Sequence, residues 1–210
     1  VIKPPERQSP YQEALARAFE AVRTRNSQYL SALGAVETGS GCYELPVLEG
    51  RFLVNLSEEK ISVKGNRAEA EAGIRVEWQI LALHYLSARP PYPKFARWIS
   101  FGDIMEARGY EGVHRSRVLD RLCATAGRDR DTFVEAGLHL GARHFEGGDQ
   151  GFRFQVFPSI PVVIAWYAGD EEFKPNASFL YPDNIMSFLS VEDIVVLSER
   201  LVGRLQNREW

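Results

Sequence analysis

The chain has 210 residues, 45% of them apolar and 25% charged, and a formal net charge of −3. This is ordinary globular composition, and a compact chain of this length buries roughly 70% of its unfolded surface, enough for a core without disulfide or metal staples. With 25 basic against 28 acidic residues there is no cationic excess to neutralise phosphates, which argues against nucleic acid as a main partner.

The first residues, Val1-Ile2-Lys3-Pro4-Pro5-Glu6-Arg7, lack the apolar core of a secretory signal. The two cysteines, Cys42 and Cys123, lie far apart in sequence and fit a reducing compartment better than a disulfide. They also fall short of the about four thiolates that an iron–sulfur cluster takes. The longest apolar stretches, near 76–86 and 160–168, are too short to span a bilayer. The expectation is a cytoplasmic protein with no membrane partner.

Ser9-Pro10-Tyr11-Gln12 signals a helix start, with Ser9 as N-cap, Pro10 in the first helical position and Gln12 closing a capping box. Tyr11, Leu15, Ala18, Phe19 and Val22 then recur on one face. From Gly34 to Gly65 the pattern is β, with strands at Tyr43-Glu44-Leu45, Arg51 to Leu56 and Lys60 to Val63, the last two forming a hairpin. Ala68 to Ala88 reads as the most apolar helix, stopped by Arg89-Pro90-Pro91-Tyr92-Pro93. A short strand follows at Trp98-Ile99, and Ser100 caps a brief helix.

Tyr110 to Thr125 reads as a helix whose Arg115, Arg117 and Arg121 form a basic, solvated face. A further helix spans about Thr132 to Leu140, closed by Gly141 as a left-handed cap. Strands follow at 142–146, 152–156, 162–167 and 178–181. The continuous apolar run Val162 to Tyr167 reads as a central strand covered on both faces. Ser190 and Asp193 match a capping box for a terminal helix, with Leu189 and Ile194 placed as a hydrophobic staple. Two strand groups with helices before, between and after predict an α+β fold: a mainly antiparallel sheet packed against a central apolar helix and flanking helices. One domain is expected over 1–210, its core at about 10–205, with 90–93 the only candidate boundary.

No phosphate-binding Gly-x-x-x-x-Gly-Lys loop, His-Glu-x-x-His, Gly-x-Ser-x-Gly or EF-hand loop is present. Gly39-Ser40-Gly41 lacks the third glycine of a dinucleotide fingerprint. His84, His114, His139 and His144 are scattered with no pair at helical spacing, so no local histidine metal site is expected.

Two constellations carry the candidate chemistry. Glu77 and His84 are seven apart on the apolar helix, where a carboxylate would orient or charge an imidazole; the alternative is a core histidine satisfied by one hydrogen bond. The run Trp166 to Phe173 ends an apolar strand in glycine and delivers Asp170, Glu171 and Glu172 between aromatics. Crowded carboxylates raise one another's pKa or hold a hard cation; the alternative is a solvated turn closed by Asp170. Tyr92, Phe95, Trp98 and Phe101 either rim a pocket or pin a loop to the core.

The order of these features resembles a known family. The helix Glu77 to Leu86 precedes Trp98-Ile99-Ser100-Phe101, then Phe-Pro-x-x-Pro at 157–161, then Trp-x-x-Gly-Asp-Glu-Glu-Phe at 166–173 followed by Pro175, then Phe179 to Asp183 and Leu189 to Asp193. Over about residues 10 to 205 the chain resembles the prokaryotic family catalogued as Domain of Unknown Function 3786. That family has no settled activity or catalytic residues. Some relatives are joined to iron–sulfur or corrinoid-type modules, so the resemblance implies an accessory role beside a redox-protein partner, although this chain carries no such module.

Aromatics beside carboxylates, without an activated nucleophile or metal spacing, lead to an expected ligand-binding accessory protein for a small molecule or cofactor. Trp166, Glu172, Phe173, Trp98 and Glu77 are its candidate binding residues. The alternatives are an acid/base enzyme using Asp170, Glu171 or Glu172 with His84, and a subunit acting through protein contacts. The cofactor, ligand and oligomeric state stay open.

Overall fold

The amphipathic first segment forms helix α1 (Pro10–Arg23), burying Ala18, Phe19 and Val22 and leaving Tyr11 in solvent. The computed structural model describes residues 10–65, 73–207 and 210. Ser9, expected to cap α1, and the 68–72 part of the expected central helix lie outside the described residues. A short helix α2 (Ser27–Ala32) follows, its first turn capped by Asn26 Oδ1, which accepts the Gln28 N–H at 2.8 Å.

Strands β1 (Val36–Gly39), β2 (Cys42–Val47), β3 (Gly50–Asn55) and β4 (Lys60–Val63) form an antiparallel meander in that order. Alternation sends Leu45, Val47, Phe52, Val54, Ile61 and Val63 to the core face. Glu44 points to the other face, where its two oxygens accept Arg51 Nη1 and Lys64 Nζ, each at 2.5 Å.

Helix α3 (Val76–Leu86) is the central apolar helix. It starts at Val76, after Arg75, because Gly73 to Arg75 are not helical. It packs against α1 on one side and α7 on another, so nearly all its circumference is apolar. Trp78 meets Phe52 of the small sheet edge-on, with ring centroids 6.4 Å apart. Tyr85 stacks on Phe157 of the second sheet at 4.8 Å.

That second sheet holds β5 (Trp98–Ser100), β6 (Arg143–His144), β7 (Gln150–Phe157), β8 (Ile160–Tyr167) and β9 (Asn176–Pro182). Its order is β5-β9-β8-β7-β6, with every pairing antiparallel. The strands thus fall into two sheets, bridged where the Leu48 N–H donates to Val156 O at 3.2 Å. As its apolar run requires, β8 is the middle strand: Val162 and Ile164 face the main core, while Val163 and Ala165 are buried on the opposite face.

Between β5 and β6 the chain is helical. Two 3-10 turns (Phe101–Asp103 and Met105–Tyr110) lead into α4 (Glu111–His114), a π turn (Arg115–Leu119) and α5 (Asp120–Ala124). Helix α6 (Arg130–His139) is capped by Asp129, whose side chain accepts the Thr132 N–H at 2.8 Å. Gly141, with φ +66°, turns the chain out of α6 into β6, a conformation glycine adopts without a Cβ penalty.

Helix α7 (Val191–Asn207) is the last element among the described residues. Its expected capping box is formed: the Asp193 N–H donates to Ser190 Oγ, and the Ser190 N–H donates back to Asp193 Oδ2. Ile194, Leu197, Leu201, Val202 and Leu205 are buried, each contributing about 1.5–3 kcal/mol of transfer free energy. Buried apolar side chains from both sheets and from α1, α3 and α7 form one contiguous cluster.

Candidate functional site

The acidic run follows β8 in the loop Ala168 to Pro175. Asp170 closes it: its N–H donates to Phe173 O at 2.9 Å, and its Oδ1 accepts the N–H groups of Phe173 at 2.7 Å and Glu172 at 2.9 Å. These backbone donors, Phe173 first, hold the Asp170 carboxyl below its ordinary value, which corrects the expectation of carboxylates raising one another here. Glu171 and Glu172 are exposed, and Phe173 stands 70% exposed. Trp166 is buried beneath, its Nε1 donating to Gly127 O at 2.7 Å. Trp166, Asp170, Glu171, Glu172 and Phe173 do share one depression of ≈ 620 Å³ with Arg128 and Arg130. Its acidic rim is exposed and organised as a turn.

His84, Glu77 and Trp98 are elsewhere. His84 Nδ1 lies 2.8 Å from Asp193 Oδ1, and none of the three residues lines that depression. The Asp193 hydrogen bond, outweighing burial, raises the His84 pKa. Burial alone would raise Asp193, but the His84 contact and the Ser190 donors keep it lowered. Glu77 makes no hydrogen bond to His84. Seven residues return to one helical face but lie about 10 Å apart along the axis, so the expected pair is corrected to His84–Asp193. Trp98 projects from the sheet face opposite Tyr181, where its ring meets Phe95, Phe145 and the Arg153 guanidinium.

A second cavity, of ≈ 410 Å³, lies where β5 stops short beside β9. Its distinctive member is His114, only 4% exposed. The ring stacks on Phe101 at 4.2 Å and meets Phe179 edge-on at 5.9 Å. Its Nε2 lies 2.9 Å from Tyr181 Oη, which lies 2.6 Å from Ser198 Oγ. Ser198 spends its proton on Ile194 O at 2.8 Å, so it accepts from Tyr181. Tyr181 must then accept from His114 Nε2–H, because each hydroxyl has one proton. This direction leaves Nδ1 as a lone-pair acceptor.

Burial pushes the His114 imidazole down to about 4, so the ring is neutral near pH 7. Nδ1 has no hydrogen-bond partner among the described residues. It is also absent from the polar atoms sealed away without one, so it opens to the cavity that His114 lines. Glu111 and Arg115 also line it.

Strand β9 supplies further groups. The Trp166 carbonyl accepts the Asp149 N–H at 2.9 Å, which points the Trp166 ladder groups toward β7. Its cross-strand partner Ala177 therefore directs N–H and C=O away from β8. The Asp183 N–H, six residues on, donates to Arg97 O at 3.1 Å, which confirms this parity on the β5 side. Phe179 shares it, but β5 pairing ends at Ser100 opposite Leu180. The Ala177 N–H is met by Asn176 Oδ1 at 2.9 Å. Ala177 and Phe179 both line the cavity.

A family model described as Domain of unknown function (DUF3786) matches residues 26–204. The chain belongs to this family. The matched span takes in both depressions, the His114–Tyr181–Ser198 chain and the His84–Asp193 pair, and it leaves α1 outside. No curated protein and no solved structure matches the chain. Among the described residues, no helix is long and apolar enough to cross a membrane.

His114, Tyr181 and Ser198 escaped sequence reasoning. His114 sits beside the arginines of an expected solvated face. The available signal was Ser198, a lone hydroxyl between Ile194, Leu197, Leu201 and Val202 on the apolar stripe of α7, where a buried polar group implies a partner.

Proposed function

We propose that this protein is a ligand-binding accessory protein with no turnover of its own, and that its ligand occupies the cavity between β9 and α4. The observation that carries this reading is the His114 ring: a buried imidazole held by stacking and by a one-directional hydrogen-bond chain, with an unpartnered acceptor turned to the cavity. Water satisfies an acceptor that opens to a cavity, and a ligand donor can take that water's place without loss of the hydrogen bond. A pKa of about 4 makes His114 a poor base at neutral pH and a good neutral acceptor, which favours holding over proton abstraction. The acid/base alternative has less support, because His84 shares neither a hydrogen bond nor a depression with Asp170, Glu171 or Glu172.

The test is a fragment screen followed by nitrogen NMR of the histidine rings. Hits are expected to move the His114 Nδ1 resonance, to be lost in Gly112→Trp, at a lining residue where an added Cβ meets open space, and to be recovered chemically unchanged. Hits that perturb only the Trp166 indole, or that are converted to product, overturn the reading.

A further inference from the structure

Resting on that binding site, we infer that its ligand is a small zwitterion, one molecule bearing a primary ammonium and a carboxylate on an apolar frame. Three residues of α4 and the π turn that continues it point there. Glu111 stands three residues before His114 and four before Arg115, spacings that bring side chains to one face of a helix. All three line the cavity. A Cβ on Gly102, another lining residue, would lie 3.7 Å from Glu111 Oε1, which sets the carboxylate at the cavity wall. An acid four residues before a base is the order that favours pairing within a helix. Yet neither Glu111 nor Arg115 has a hydrogen bond or ion pair among the described residues.

What each residue supplies fixes the groups it would meet. His114 Nδ1 accepts a proton without carrying charge, and the Phe101 stack and the Nε2 bond to Tyr181 keep the ring from turning. Glu111 also accepts, and its charge calls for a cation. One ammonium has three N–H donors and serves both, beside the Phe101 and Phe179 rings of the same lining. Arg115 offers the planar fork of donors that matches a carboxylate. A hydroxyl or an amide would satisfy His114 and leave both charges idle. Glu111 and Arg115 are exposed, so either ion pair alone is weak and the ligand needs all three contacts. The depression beside the acidic loop is less suited. There Asp170 is spent on its own turn, Arg128 pairs with Asp129, and Arg130 reaches Gln150.

The probes are two zwitterions, L-phenylalanine and 5-aminopentanoate, each with counterparts that carry one charge. Phenethylamine and 3-phenylpropanoate serve the first, butylamine and pentanoate the second. Each is titrated into the full chain, with the His114 ring nitrogens followed by NMR. At least one zwitterion is expected to move His114 Nδ1 and to bind at least about threefold more tightly than either of its counterparts. Glu111→Gln should weaken that zwitterion and its amine while sparing the carboxylate counterpart. Arg115→Gln should weaken the zwitterion and the carboxylate counterpart while sparing the amine.

Single-charge counterparts that bind as tightly as both zwitterions overturn the inference, as do Glu111 and Arg115 variants that leave zwitterion affinity unchanged. If fragments move His114 Nδ1 while no zwitterion gains over its counterparts, the ligand class fails and the binding reading stands. If neither fragments nor zwitterions move it, both fail.

Discussion

His84 Nδ1 meets Asp193 Oδ1 at 2.8 Å, joining the apolar helix α3 to the first turn of α7 across 109 residues of sequence. The same carboxylate accepts the Ser190 hydroxyl at 2.7 Å, so one side chain caps a helix and anchors its neighbour.

Stability should therefore depend on pH through this pair. The His84 pKa is raised above the ordinary 6.5, so its contribution is complete below 6.5 and lost as pH rises through the folded value. Asp193 is lowered below the ordinary 3.8, so its contribution is present above 3.8 and lost as pH falls. The pair works best between those values. Urea melts at pH 5.5 and 8 should show the wild type losing its advantage over His84→Gln at the higher pH; an equal difference at both pH values refutes the pairing.

The sign reverses at His114. Its pKa is depressed from 6.5 to about 4, so its neutral burial stabilises the fold above 6.5 and opposes it as pH falls toward 4. At about 1.4 kcal/mol per unit the effect is on the order of 3 kcal/mol. Nitrogen NMR should find His114 protonated at Nε2 and not titrating between pH 5.5 and 8. A titration near 6.5, or a proton on Nδ1, contradicts the hydrogen-bond direction derived above.

Tyr181→Phe should cost about 1–3 kcal/mol by urea denaturation, since it strands His114 Nε2–H in a buried site. Adding Ser198→Ala should cost less than the sum of the two single changes, because the residues share one chain of hydrogen bonds. Additive losses would mean that the hydroxyls act independently.

Asp170→Ala should speed hydrogen exchange at the Glu172 and Phe173 amides that its carboxylate now holds. It should leave the His114 ring resonances in place. A shift at His114 would couple the two depressions, which no hydrogen bond here does.

Helix α6 packs on β7 through Gly137, where an added Cβ would lie 2.7 Å from the Phe152 ring. Gly137→Ala gains up to about 1 kcal/mol of helix propensity, yet overpacking should outweigh it with a net loss of about 1–2 kcal/mol. A higher melting temperature would show that Phe152 has room to move.

Much of the architecture was readable because its signals are local. The apolar run of β8, the hairpin of β3 and β4 and the Ser190–Asp193 box each depend on neighbours a few residues away. Strand β1 gave no alternation, since all four of its residues are exposed, and α2 is too short for a helical period to register. The acidic loop was visible in sequence, but whether its carboxylates were buried was not. The His114 chain was least legible, because its partners are 67 and 84 positions away and its neighbours are arginines. Periodicity assigned His84 and Glu77 to one face without giving their separation along the axis.

The π turn at Arg115–Leu119 directly follows His114. Such a turn is in effect a single residue added to an α-helix, and it offsets everything before it from everything after by about a quarter of a revolution. Val118 and Leu122 keep their seats in the core while His114 and Glu111 swing to β9. Excising one residue from this turn would restore regular winding and carry the imidazole off its tyrosine, so the recess owes its acceptor to an insertion and not to the identity of the histidine alone.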